Sequence, residues 1–179
     1  MTPASLSVGT RRKARGLALQ VLYAIDVGDV AEVSDRPAWI DDAVGTYVER
    51  FELDVEPDAR GLAVVLVRAA TRARAAIDER IAGASRNWRI DRMARVDRNI
   101  LRLAVGELLH VPETPVKVVI NEAVELAKRF GTAESPAFVN GVLDRIATAL
   151  GRGPDAADAP DASDAGDPTA DDPEPSGDA

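Results

Sequence analysis

Cysteine is missing from all 179 positions of this chain. That excludes disulfides, thiolate nucleophiles and cysteine-ligated metals, and it suits a reducing compartment. Aromatic residues make up 4% of the chain against 46% apolar residues in all, so a core here must be aliphatic. The single histidine, His110, stands near the end of a helical stretch, where a cation-capable side chain complements the helix end more readily than it serves as a base. No apolar run approaches the roughly 18 residues of a bilayer span. Met1 to Thr10 lacks the charged-then-apolar order of a secretion signal. There is no glycine-rich phosphate cradle, no metal-ligand spacing and no defensible pair of catalytic carboxylates. The expectation is a cytoplasmic protein that uses no cofactor or metal, does not enter a membrane and is not an enzyme.

Charge is present, and its distribution matters more than its sum. Net charge is −8, which by itself argues against nucleic acid. Gly151 to Ala179 holds nine acids (Asp155, Asp158, Asp161, Asp164, Asp167, Asp171, Asp172, Glu174 and Asp178) against Arg152 alone, so residues 1 to 150 sum to zero. Within that neutral body, Arg11, Arg12, Lys13 and Arg15 form a basic start with no acid before Asp26. Eleven acids and two arginines follow in Asp26 to Asp58, then eleven arginines and four acids in Arg60 to Arg102. Such blocks give a molecule distinct basic and acidic faces.

Alternation of the kind strands need is absent, and helical periodicity fills residues 11–150. Ala14, Leu17, Ala18, Val21, Leu22 and Ile25 make one stripe on a helix of about Arg11–Asp26. Pro37 opens a second helix with Val44, Tyr47, Val48 and Phe51. Pro57 opens a longer third, with Leu62, Val65, Leu66, Ala69, Ala73 and Ile77 on its apolar side, because proline at a first helical position forfeits no hydrogen bond. Gly83 to Asp91 reads as a connection holding Trp88. A helix follows over about Met93–His110. Thr114–Pro115 and Ser135–Pro136 each read as an N-cap with its proline, the first helix ending at Phe130–Gly131 and the last at Leu150. Beyond Leu150 nothing can bury enough apolar surface to offset the entropy of ordering. The chain therefore reads as a flexible start over 1–10, an all-α domain over 11–150 and a disordered acidic tail over 151–179.

The second half carries a more specific signal. Val96-Asp97-Arg98-Asn99-Ile100-Leu101-Arg102-Leu103-Ala104 precedes Glu107-Leu108-Leu109. Then come Pro115-Val116-Lys117-Val118-Val119-Ile120-Asn121-Glu122-Ala123-Val124-Glu125-Leu126-Ala127-Lys128-Arg129-Phe130-Gly131 and, after Ser135, Phe138-Val139-Asn140-Gly141-Val142-Leu143-Asp144. These strings, with Arg11-Arg12-Lys13-Ala14-Arg15 and Ala18-Leu19-Gln20-Val21-Leu22-Tyr23, closely resemble the NusB family of transcription antitermination factors. The likeness covers about residues 10 to 150 and is weakest from Asp26 to Arg86; the tail lies outside it. It implies a bundle of about seven helices in two small antiparallel subdomains. It also implies binding of boxA RNA in ribosomal RNA leaders together with NusE, a basic small-subunit ribosomal protein, in a complex that makes RNA polymerase read through terminators. The fold also heads certain ribosomal RNA methyltransferases, but no glycine-rich strand–helix unit follows Leu150. Some members of the family form a homodimer through the partner face, which leaves monomer and dimer both open.

The candidate RNA contacts are Arg11, Arg12, Lys13 and Arg15, which can neutralise phosphates, with Tyr23, Phe130 and Phe138. Residues alone leave the arm evenly balanced between RNA and a solvated terminus; the resemblance favours RNA. Tyr23 can stack on a base, where a lone tyrosine beside Leu19 and Leu22 would otherwise be read as core. Phe130 and Phe138 flank the turn 131–137 and would otherwise be read as staples of their helix ends. Asp97, Glu107 and Glu134 are the candidate partner-binding acids. Asp97 and Glu107 fall roughly on one helical face, and Asp97 also complements a helix N-terminus. Asn121, Asn140 and Gly141 read as structural, an interior asparagine tying helices and a glycine permitting close approach. The tail has two readings, a mimic of nucleic acid on the basic face or a solubilising segment, the second being the more common. The alternative for the whole chain is a helical protein-interaction module that binds no RNA.

Overall fold

The computed structural model describes residues 6–28, 37–85 and 88–152. It contains α1 (Val8–Val27), α2 (Pro37–Arg50), α3 (Pro57–Arg72), α4 (Arg74–Ala84), a 3-10 turn at Ile90–Arg92, α5 (Arg95–His110), α6 (Val116–Phe130) and α7 (Ser135–Ala149). No strand occurs among the described residues. The fold is all-α, as the periodicity requires. Residues 1–5 and the acidic tail from 153 lie outside the described residues.

Helix α1 starts three residues before the expected Arg11. Ser7 caps it: its Oγ accepts the Thr10 backbone N–H at 3.1 Å, so residues 8–10 belong to the helix rather than to a loose start. Pro37 and Pro57 open α2 and α3 as expected. Helix α2 stops where Glu52 takes a left-handed conformation (φ 48°) and the Leu53 N–H returns to the Val48 carbonyl at 3.0 Å. This is the geometry that glycine normally supplies after a helix.

The long third helix read from sequence is two helices. They divide at Ala73 (φ −119°, ψ 30°), just after Thr71 turns its Oγ1 back onto the Val67 carbonyl at 2.8 Å. A hydroxyl bonded back to its own helix competes with the backbone ladder and favours a bend. The bend lets Ile77 and Ile81, both fully buried, enter the core from a new direction. Two starts also shift by one residue: Pro115, not Thr114, is the N-cap of α6, and Glu134, not Ser135, that of α7.

Helix α5 is the centre. It packs against α1 and α3 on one side and α4, α6 and α7 on the other, so the groups α1–α3 and α4–α7 share one continuous aliphatic core. Every residue from Asn99 to Leu108 is buried. A helix buried all round needs close neighbours and paired charges. Gly106 supplies the first: a Cβ there would lie 2.9 Å from the Ala70 backbone. At the α6–α7 turn, a Cβ on Gly131 would strike the Ser135 side chain at 2.5 Å. Among the described residues no helix is long and apolar enough to cross a membrane.

Candidate nucleic-acid interface

The basic start of α1 separates into two kinds of residue. Arg12 and Lys13 keep about 60% of their side chains in solvent while pairing across helices. Arg12 donates from Nη2 and Nε to the two carboxylate oxygens of Glu122 on α6, at 2.7 and 3.2 Å, and Lys13 Nζ reaches Glu56 at 2.7 Å. Each hydrogen bond and the charge behind it hold the cation's pKa above its ordinary value. Arg11 is half-buried and has no ion-pair partner among the described residues. These three occupy one end of a helix whose first turn holds no acid.

Arg15 does not belong with them. It lies on the buried face of α1, and its guanidinium donates through Nε (2.9 Å) and Nη2 (2.5 Å) to both oxygens of Glu107. The two side chains are 4% and 3% exposed. This corrects two expectations together: Arg15 is not placed to meet phosphate, and Glu107 is not placed to meet a partner protein. Each neutralises the other inside the α1–α5 contact. Asp97 and Glu107 therefore do not share a working face.

The exposed cations continue along α6. Arg12 lies within electrostatic reach of Glu125, which Lys128 Nζ engages at 2.7 Å. That ion pair lowers the Glu125 pKa through its hydrogen bond to Lys128. One residue on, the Arg129 guanidinium sits 5.1 Å from the centre of the exposed Phe130 ring, a cation–π contact. Lys128 and Arg129 were passed over in the sequence, though both stand in the last turn of a helix with a conspicuous Lys-Arg-Phe ending. From Arg11 to Phe130, cations and an aromatic thus edge one side of the molecule.

Beyond Phe130 the α6–α7 turn closes a cavity of about 280 Å³ lined by Trp88, Met93, Asp97, Thr132, Glu134 and Phe138. It unites three residues picked from sequence for two different partners. Asp97, in the first turn of α5, is nine-tenths buried, and its Oδ1 accepts no hydrogen bond among the described residues. Glu134 is exposed at the rim. Trp88, noted in the sequence only as part of a connection, is 58% exposed and sets its ring edgewise to Phe138, with centres 6.3 Å apart.

Tyr23 is exposed, which removes the core reading, and it lines a separate groove with Trp39, Tyr47 and Phe51. It lies eleven residues from Arg12, about 16 Å along the same helical face. Asn121 and Asn140 are exposed, and Asn140 donates to Asp144 on its own helix at 2.7 Å, so neither ties helices together. A Cβ on Gly141 would meet nothing closer than the Arg145 side chain at 3.9 Å; close approach is the work of Gly106.

The model of the NusB family matches residues 12–148. The transcription antitermination protein NusB of Anaeromyxobacter dehalogenans (strain 2CP-1 / ATCC BAA-258) is 52% identical over 140 residues, covering 78% of this chain and 92% of that protein. The NusB protein of Sorangium cellulosum (strain So ce56) is 48% identical over 145 residues, covering 81% and 96%. Among solved structures, a chain from a crystal structure of antitermination factors NusB and NusE in complex with dsRNA superposes with a TM-score of 0.66. It is 31% identical and covers 80% of this chain and 99% of its own.

Proposed function

The chain belongs to the NusB family, and from that premise we propose that it is a transcription antitermination factor. It binds boxA RNA of ribosomal RNA leaders through Arg11, Arg12, Lys13, Tyr23, Phe130 and Phe138, together with the exposed Lys128 and Arg129. It binds NusE through Asp97 and Glu134, and the assembly acts on RNA polymerase in the cytoplasm to promote read-through. No bond is made or broken; the protein works by holding an RNA and a basic protein side by side.

The observation that carries this reading is the adjacency of two unlike surfaces. The row of cations leads to Phe130, and directly beyond it Phe138 shares its cavity with Asp97 and Glu134. Phosphates suit the first surface, and unpaired bases suit its exposed rings. A buried carboxylate oxygen lacking a partner suits a cationic side chain. Neither existing pair opposes RNA: Lys13–Glu56 is exposed on both sides and so holds only weakly, while Arg12 keeps its anchor on the buried Glu122 and, 60% exposed, still turns its remaining N–H groups to solvent.

The test is fluorescence anisotropy with labelled boxA RNA at two salt concentrations, with and without NusE. Three phosphate contacts from the arm predict a log–log salt slope of about −2. Replacing Arg11, Arg12 and Lys13 together should remove that share of the slope, leave what Lys128 and Arg129 contribute, and keep NusE binding intact. Asp97→Asn with Glu134→Gln should do the reverse. If wild-type protein ignores RNA at low salt with NusE present, the RNA reading fails and a protein-interaction module is left.

A further inference from the structure

Arg152, the last described residue, lies near the root of the basic arm. Arg152 fixes the departure point: its guanidinium donates to the Leu108 carbonyl at 2.8 Å and the Pro112 carbonyl at 3.5 Å, at the C-terminal end of α5. The adjoining His110, Val111 and Glu113 line one cavity with Leu6, the residue before the Ser7 cap of α1. The root of the tail and the root of the arm are therefore neighbours, although the sequence sets them some 140 positions apart.

Charge and length match as well. After Arg152 come 27 residues with nine acids and no base, while residues 1–150 are neutral. Asp155, Asp158, Asp161, Asp164 and Asp167 recur at every third position. An extended chain spans about 3.3 Å per residue, whereas the helical rise from Val8 to Lys13 is only about 8 Å. The first third of the tail is long enough to cover it. The arm keeps donors to receive it: Arg12 spends two of its N–H groups on Glu122 and Lys13 pairs with Glu56, yet both stay about 60% exposed, and Arg11 has no ion-pair partner among the described residues.

We propose that the acidic segment after Arg152 docks on the arm of its own chain, over Arg11, Arg12 and Lys13, and competes with RNA for that surface. The competition half rests on the RNA-binding function proposed above; the docking half does not. A tethered segment is present at an effective concentration on the order of 1 mM. Weak charge-driven contacts have dissociation constants of about 10⁻⁴ M. Their ratio lowers RNA affinity about tenfold. RNA that also engages Lys128, Arg129 and the phenylalanines displaces the tail, while RNA that touches only the arm does not, so the segment raises selectivity.

Because the chain has no cysteine, Ser163→Cys places a nitroxide at a single site of the full-length protein. Docking predicts paramagnetic broadening of the Val8–Lys13 amides at low salt, relieved at high salt. If those amides are unaffected at low salt, docking is wrong, whatever RNA does. A second full-length variant converts the eight tail aspartates to asparagine and Glu174 to Gln. Competition predicts about tenfold tighter binding of a labelled unstructured RNA oligomer at low salt, and a smaller gain at high salt. Tighter binding without broadening at α1 means plain repulsion and overturns docking; broadening without any change in affinity overturns competition. If neither protein binds RNA, the RNA reading falls, and the spin label still decides docking by itself.

Discussion

Replacing Arg15 by methionine separates a structural arginine from a phosphate contact, because the two roles predict opposite patterns. The guanidinium meets both oxygens of Glu107 within a contact where each side chain is almost wholly buried. Truncating it leaves the Glu107 carboxylate desolvated and without its counter-charge, a loss of about 3–5 kcal/mol in comparable buried pairs. In a domain of this size each kcal/mol lowers Tm by about 2–4 °C. Arg15→Met should therefore unfold roughly 10 °C below the wild type in a thermal scan followed by circular dichroism. Arg15→Met combined with Glu107→Met should recover most of the loss, since an apolar pair of matched volume removes the stranded charge. RNA affinity and its salt slope, measured well below the transition, should match the wild type in both variants. A Tm within about 2 °C of wild type, accompanied by a salt slope shallower by about 0.7, would refute the reasoning and return Arg15 to the RNA face.

Other perturbations test the frame and the site. Asp26 accepts from Arg98 (2.6 Å), Arg102 (3.1 Å) and Asn99 (3.3 Å). Burial alone would raise its pKa, but the hydrogen bond and charge of Arg98, then those of Arg102, outweigh it and hold the carboxyl below its ordinary value. With the folded pKa depressed, the stabilisation is complete above the unfolded value of about 3.9 and lost as pH falls through the folded one. Asp26→Asn should cost about 3–5 kcal/mol at neutral pH and flatten the acid limb of a denaturant-derived stability profile; an unchanged limb would show that other carboxylates dominate. Glu52→Gly should stabilise by about 1 kcal/mol in urea titrations, relieving a side chain at φ 48°. Gly106→Ala should cost about 1–3 kcal/mol, as a methyl 2.9 Å from the Ala70 backbone forces α3 and α5 apart. Phe130→Ala should weaken RNA binding by about 1–3 kcal/mol if its exposed ring stacks on a base, and leave Tm nearly unchanged.

Helix identity was legible because amphipathic periodicity and proline act locally. Pro37 and Pro57 set φ at a helix start whatever packs around them. The division at Ala73 was not legible: neither glycine nor proline marks it, and the Thr71 hydroxyl that bonds back to Val67 has no counterpart in an apolar pattern. The neighbours of α5 were equally hidden, since burial on every side follows from where a helix sits rather than from its own sequence.

The site divides along the same line. Position and charge of Arg11, Arg12, Lys13 and Arg15 could be read directly, but a cation's role depends on which anion folding brings to it. Glu107 stands 92 positions from Arg15, and Glu122 stands 110 from Arg12. One clue was present: Arg15 precedes Ala18 by three residues, Leu19 by four and Leu22 by seven, all buried, so helical spacing alone turns it inward. Lys13 falls off that stripe, and Arg12, at its edge seven residues before Leu19, keeps most of its side chain in water. The residues available to an RNA are thus the basic ones left over once the core has claimed its own. By that logic Lys128 and Arg129, exposed in the last turn of α6, are expected to act with the arm, and replacing both should make the RNA salt slope shallower by about 1.4.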